Sequence, residues 1–172
     1  MNTDSNMWFI SKTQRSADSI VKLHKDYSNK KIVVTSKNAP PKKYNNDFIT
    51  GFHHMFDGRM DIEEVIFEDD VDTSHITSVR DMFRNCRNLK RVVFPRNAFP
   101  KVIDVSYMFE SCYKLEEVIA PGFLIEWKKG KPVLREGIHN AQPGLFHCCP
   151  ISPEKCPIGL NMMRLKGLTS NP

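Results

Sequence analysis

Residues 147–156 read "HCCPISPEKC" and gather donors that could do chemistry. His147, Cys148, Cys149 and Cys156, with His139 nearby, are nitrogen and sulfur ligands of the kind that close a tetrahedral zinc site. A cysteine beside a histidine could also serve as a nucleophile with its base. The spacing weighs against both. Zinc sites usually pair their cysteines as Cys-x-x-Cys, whereas here two cysteines are adjacent and the third stands alone. A catalytic pair would need a carboxylate or amide to orient the histidine, and the sequence indicates none. The expectation is no catalytic residue, no metal and no cofactor. The alternative is a zinc-binding or thiol-dependent enzyme centred on Cys148, Cys149, Cys156 and His147. His53-His54 is a poor ligand pair, because sequence neighbours point to different faces of any regular element, and it reads as solvated or capping.

What would position these groups is a repeat. "MFDGRMDIEEVIF" starts at Met55, "MFRNCRNLKRVVF" at Met82 and "MFESCYKLEEVIA" at Met108, 27 and 26 residues apart. The columns align: Met-Phe opens each copy, then come Ile62, Leu89 and Leu115, then Val65 and Phe67, Val92 and Phe94, Val118 and Ala120. Apolar residues six and three before each Met extend the match backwards, at Ile49 and Phe52, Ile76 and Val79, Val102 and Val105. Their threefold spacing into the Met-Phe pair reads as one face of a helical turn, and Val-x-Phe alternates as a strand does. A unit of this length cannot bury its apolar side alone. Stacked copies can, because strand pairs with strand and the apolar columns fuse into one core.

The pattern V-x-x-M-F-x-x-C-x-x-L-x-x-V, seen in "VRDMFRNCRNLKRV" and "VSYMFESCYKLEEV", resembles the BspA-like leucine-rich repeat over about residues 48–123. The resemblance implies a right-handed solenoid with one short strand per coil, in a family used mainly for surface adhesion and protein binding. Two departures stand out. Members are typically exported and built of many repeats, while this chain has about three copies and no basic segment followed by an apolar one at its start. The first copy also has Arg59 where the others have Cys86 and Cys112, as an end coil would. "LFHCCPIS" reproduces Met-Phe-x-x-Cys with Leu145, Phe146 and Cys149 but loses the later columns, which makes it a degenerate capping coil.

The fold expected is therefore α/β: a short leucine-rich-repeat-type solenoid over 48–123, an N-terminal α/β cap over 1–47, and a hairpin, capping coil and tail over 124–172. In the first segment, "MWFIS" reads as a strand, 16–27 as a helix with Ser16 as N-cap, "KIVVTS" as a second strand and "KNAPPKKYNN" as a loop. In the last, 124–127 and 132–135 flank "KKGK" as a hairpin whose Gly130 supplies the positive φ of a tight turn.

The strand columns carry the functional expectation. Ile66, Val93 and Ile119 lie between the inward residues and so point outward, where related repeats often carry polar groups. The residues before them read Glu63-Glu64, Lys90-Arg91 and Glu116-Glu117, so strands stacked ~4.8 Å apart would alternate acid, base and acid. An apolar stripe framed by Glu64, Arg91 and Glu117 is expected to bind another protein or seat the chain in a larger assembly, unless the chain's own ends cover it.

Composition narrows the rest. Hydrophobic residues at 40% suffice for a core, and no apolar run reaches a membrane span. The net charge of +5 is uneven: residues 1–50 hold nine Lys/Arg against four Asp/Glu, and 51–80 hold two against eight. That distribution favours internal pairing over a nucleic-acid footprint, although a basic nucleic-acid-binding accessory protein is a second alternative. Five cysteines without an export signal read as reduced thiols. The expected place is the cytoplasm or a particle assembled there, a virion included.

Overall fold

Alternating inward and outward residues in the second half of each copy produce short strands. The computed structural model describes residues 7–10, 21–24, 30–40, 42–44, 47–48, 51–123, 125–129, 131–134 and 145–151. Its central element is a four-stranded parallel sheet. Strand β3 is Lys31–Val34, β6 is Glu64–Phe67, β7 is Arg91–Val93 and β8 is Glu117–Ile119, and they pair in that order. The register is strict, with Val65 opposite Val92 and Val92 opposite Val118. "KIVVTS" thus joins the repeat sheet, Ile32 opposite Val65.

The first half of each copy is not a helical turn, and among the described residues there is no helix. The threefold spacing comes from successive turns closed by i to i−3 bonds: Met82 N–H donates to the Val79 carbonyl, Arg84 to Asp81, Cys86 to Phe83 and Leu89 to Cys86. The residues between donate to the next copy, Asp81 to Ser106, Phe83 to Met108 and Asn85 to Glu110. Backbone donors alternate between local turn and neighbouring copy, so this buried edge leaves few of them unmatched. The alternation requires left-handed residues just before each Met (His54, Asp81, Tyr107), three after it (Gly58, Asn85, Ser111), and, in the last turn, three after Leu145 (Cys148). A helix would need none.

Between turns and sheet lies the core. Phe56, Phe83, Phe109 and Phe146 stack at 5.2, 5.3 and 5.4 Å with planes within 8° of parallel. Phe67, Phe94 and Phe123 form a second column. Leu145-Phe146 therefore occupies the place on Met108-Phe109 that each Met-Phe pair takes on the one before, and the Phe109 N–H donates to the Leu145 carbonyl.

The flanks correct two expectations. Within the helix expected over 16–27, Val21–His24 is strand β2, antiparallel to β1 at Met7–Ile10. The alternation Val-Lys-Leu-His with a β-branched lead suits a strand pairing, and this outweighs the helical spacing; Ser16 lies outside the described residues. The expected loop contains β4 (Lys43–Tyr44), which pairs with β5 (Asp47–Phe48) just beyond it. The hairpin is present, its first strand one residue later than expected and its second one residue earlier, as β9 (Ile125–Lys128) and β10 (Lys131–Leu134). Lys129 takes the positive φ there, and Gly130 lies outside the described residues. No helix of the described residues is long and apolar enough to cross a membrane.

Candidate functional site

The parallel register gathers the outward residues into rows. Ile66 lies opposite Val93, and Val93 opposite Ile119. Two residues earlier on the same face, Glu64 lies opposite Arg91, and Arg91 opposite Glu117. All six residues expected on this face are brought together, and each is half-buried while Val65, Val92 and Val118 between them point into the core. The sheet also extends both rows by one strand, adding Val33 opposite Ile66 and Lys31 opposite Glu64. Sequence reasoning missed these two. The signal was the match of Lys30-Lys31-Ile32-Val33-Val34 to Glu63-Glu64-Val65-Ile66-Phe67, charge-inverted but with the same apolar alternation.

The row that starts at Lys31 is joined by an ion pair at every strand-to-strand step. Lys31 Nζ is 2.9 Å from Glu64 Oε2, Arg91 Nη1 reaches the other oxygen of Glu64, and Arg91 Nε is 2.7 Å from Glu117 Oε2. One residue earlier, Glu63 sits between Lys30 Nζ at 2.8 Å and Lys90 Nζ at 2.7 Å. Hydrogen bonds from Lys30 and then Lys90 lower the Glu63 carboxyl from 4.5 to about 2. Lys31 and Arg91 hold Glu64 down in the same way, and Glu117 with Glu64 raises Arg91. Beside these rows runs an open groove of about 430 Å³ lined by the charged side chains.

Two of the cysteines line the interior between the copies. Cys86 and Cys112 are buried free thiols in one column. Cys86 Sγ donates to the Phe56 carbonyl at 3.0 Å and Cys112 Sγ to the Phe83 carbonyl at 3.1 Å, each reaching back to the preceding copy. Desolvation raises both thiols well above their ordinary range. Arg59, in their column, lies instead at the first copy's end with its guanidinium forked on Asp61, at 2.7 and 2.6 Å.

In the cysteine and histidine cluster, Cys149 is buried in this same column, and half-buried Cys148 places Sγ 3.7 Å from His147 Nε2. His147 Nδ1 is 3.3 Å from Glu110 Oε1. Among the described residues no three His, Cys, Asp or Glu side chains are grouped as metal ligands; Cys156 and His139 lie outside them. His54 is not a solvated histidine. It is half-buried between Asp57 Oδ2 at 2.9 Å and the buried Asp81 Oδ2 at 3.3 Å, joining the first copy to the second.

Sheet and turns together define a class: a protein of in-register repeats laid side by side on a parallel sheet. Residues 21–126 match the family described as Mycoplasma protein of unknown function, DUF285. The match covers more than half of the chain, and the chain belongs to that family. No curated protein and no solved structure matches it.

Proposed function

We propose that this chain is a non-enzymatic interaction or assembly module, a short leucine-rich-repeat-type solenoid whose outer strand face docks another protein. The observation that carries this reading is the half-buried row of Ile66, Val93 and Ile119, set in register and flanked by Glu64, Arg91 and Glu117. An aliphatic row gives a partner surface to desolvate, and a fixed pattern of alternating charge orients it. The strand ladder and the Phe stack support the solenoid reading and its likeness to BspA-like repeats, because both run from copy to copy without a break. Two end pieces support the caps: β3 on the first copy and the Leu145-Phe146 turn on the third. Nucleic acid is a poorer fit to this face, since its Lys and Arg side chains are already paired with carboxylates. The module works in the cytoplasm or in a particle assembled there. The test is a comparison of wild type and Val93→Lys as baits in native lysate, with folding followed by thermal melts. A partner retained by wild type and lost by the folded variant supports the reading.

A further inference from the structure

Among the described residues the parallel sheet ends in opposite charges. At one edge β3 and the residue before it supply Lys30 and Lys31, and at the other β8 and the residue before it supply Glu116 and Glu117. Every step between neighbouring strands joins a base to an acid: Lys31 to Glu64, Glu64 to Arg91, Arg91 to Glu117. In the adjoining column Glu63 has a lysine on each side, Lys30 and Lys90. Glu116 is exposed and, among the described residues, has only Lys90, on the β7 side.

We propose that copies of this chain associate head to tail, the β8 edge of one accepting the β3 edge of the next. A parallel strand in continued register would set Lys31 of the next copy opposite Glu117, Ile32 opposite Val118 and Val33 opposite Ile119. Lys30 would stand beside Glu116. Charge order, inward apolar column and outward aliphatic row all continue across the junction, because β3 already makes this pairing with β6 inside the chain. Edge strands carry backbone donors and acceptors suited to such addition. The two surfaces differ, so the contact is heterologous and extends beyond a dimer. The junction runs along the strand edges, where only Glu117 and Ile119 of the outer rows border it, and it leaves Ile66 and Val93 open, so the inference does not rest on the docking reading.

Sedimentation velocity across a concentration series at low salt tests it. The average mass of wild type should rise with concentration and fall as salt is added. Glu116→Lys and Lys30→Glu, each at an exposed position, should each weaken association by roughly tenfold or more, because like charges then meet across the junction. An equimolar mixture of the two variants should recover it, since the reversed edge of one faces the reversed edge of the other. Three results would overturn the proposal: a monomer at every concentration, as expected if another segment of the chain occupies the β8 edge; an association indifferent to both reversals; or a mixture that does not recover.

Discussion

Phe83 and Phe109 lie ring on ring, centroids 5.3 Å apart and planes 2° from parallel, although 26 residues separate them. Neither is accessible to solvent. The relationship is repeated on both sides, by Phe56 and by Phe146, so one ring position per copy forms a continuous column through the molecule. Such a column ties the stability of each copy to its neighbours.

Phe109→Ala removes the ring that contacts both Phe83 and Phe146. A buried Phe truncated to Ala costs ~3–5 kcal/mol, a large share of the ~5–15 kcal/mol that holds a typical domain. Denaturant titration should show a large fall in midpoint, with the variant mostly unfolded at moderate temperature. An unchanged midpoint would mean the copies are not stacked in this register.

Ser111 has φ 59°, and its N–H donates to the His147 carbonyl. A β-branched side chain resists this left-handed conformation, so Ser111→Val should destabilise by ~1–2 kcal/mol. Ser111→Gly fits the conformation and should stay within ~1 kcal/mol of wild type. Equal effects of the two substitutions in the same melt would contradict the turn geometry.

Burial that raises the Cys86 and Cys112 thiols also leaves little thiolate to react. Brief alkylation of the native protein, read by peptide mass, should leave both unmodified. A separate, unalkylated sample unfolded without reductant should show five free thiols. A total of three would reveal a disulfide, and rapid native labelling of Cys112 would contradict its place in the core.

Acid should weaken the fold in a defined window. The Glu63 carboxyl is held at about 2 against an ordinary 4.5, and Asp72 at about 2 against 3.8, the latter by hydrogen bonds from Ser74 first and Lys42 after. Groups lowered in the folded state stabilise it fully above their ordinary values, and that stability is lost as pH falls through the folded values. Denaturation midpoints should hold steady from neutrality to about pH 5 and decline between about 4.5 and 2. Glu63→Gln should shallow that decline. Stability that stays flat or rises on acidification would contradict the ion-pair rows.

Much of this arrangement was legible in the residues. Val65, Val92 and Val118 alternate with Ile66, Val93 and Ile119 at the two-residue period of a strand, and this placed one set inside and the other outside. The turns were not legible, for a physical reason. Bonds closed every three residues bring Val79, Met82 and Phe83 to one side much as a helix does, and only backbone φ separates the two. Of the left-handed positions in these turns, Gly58, Asn85, Asp81 and His54 have residue types that visit that region, but Tyr107, Ser111 and Cys148 give no such hint, so the pattern does not recur from copy to copy. Strand β2 was misread because Ile20, Val21 and His24 also satisfy helical spacing, and pairing with Met7–Ile10 is a non-local term. Lys31 and Val33 escaped the site because their copy lacks the Met-Phe opening that made the others visible.

If the row of Ile66, Val93 and Ile119 is a docking face, Val93→Lys should separate binding from folding. On an open face the lysine lifts its ammonium into water, whereas inside a protein contact that charge is desolvated and unpaired. The expected result is a melting curve close to wild type together with loss of the partner that wild type retains. Unfolding of the isolated variant would contradict it by making the row internal core, and a variant that folds and still binds would contradict it by making the face idle.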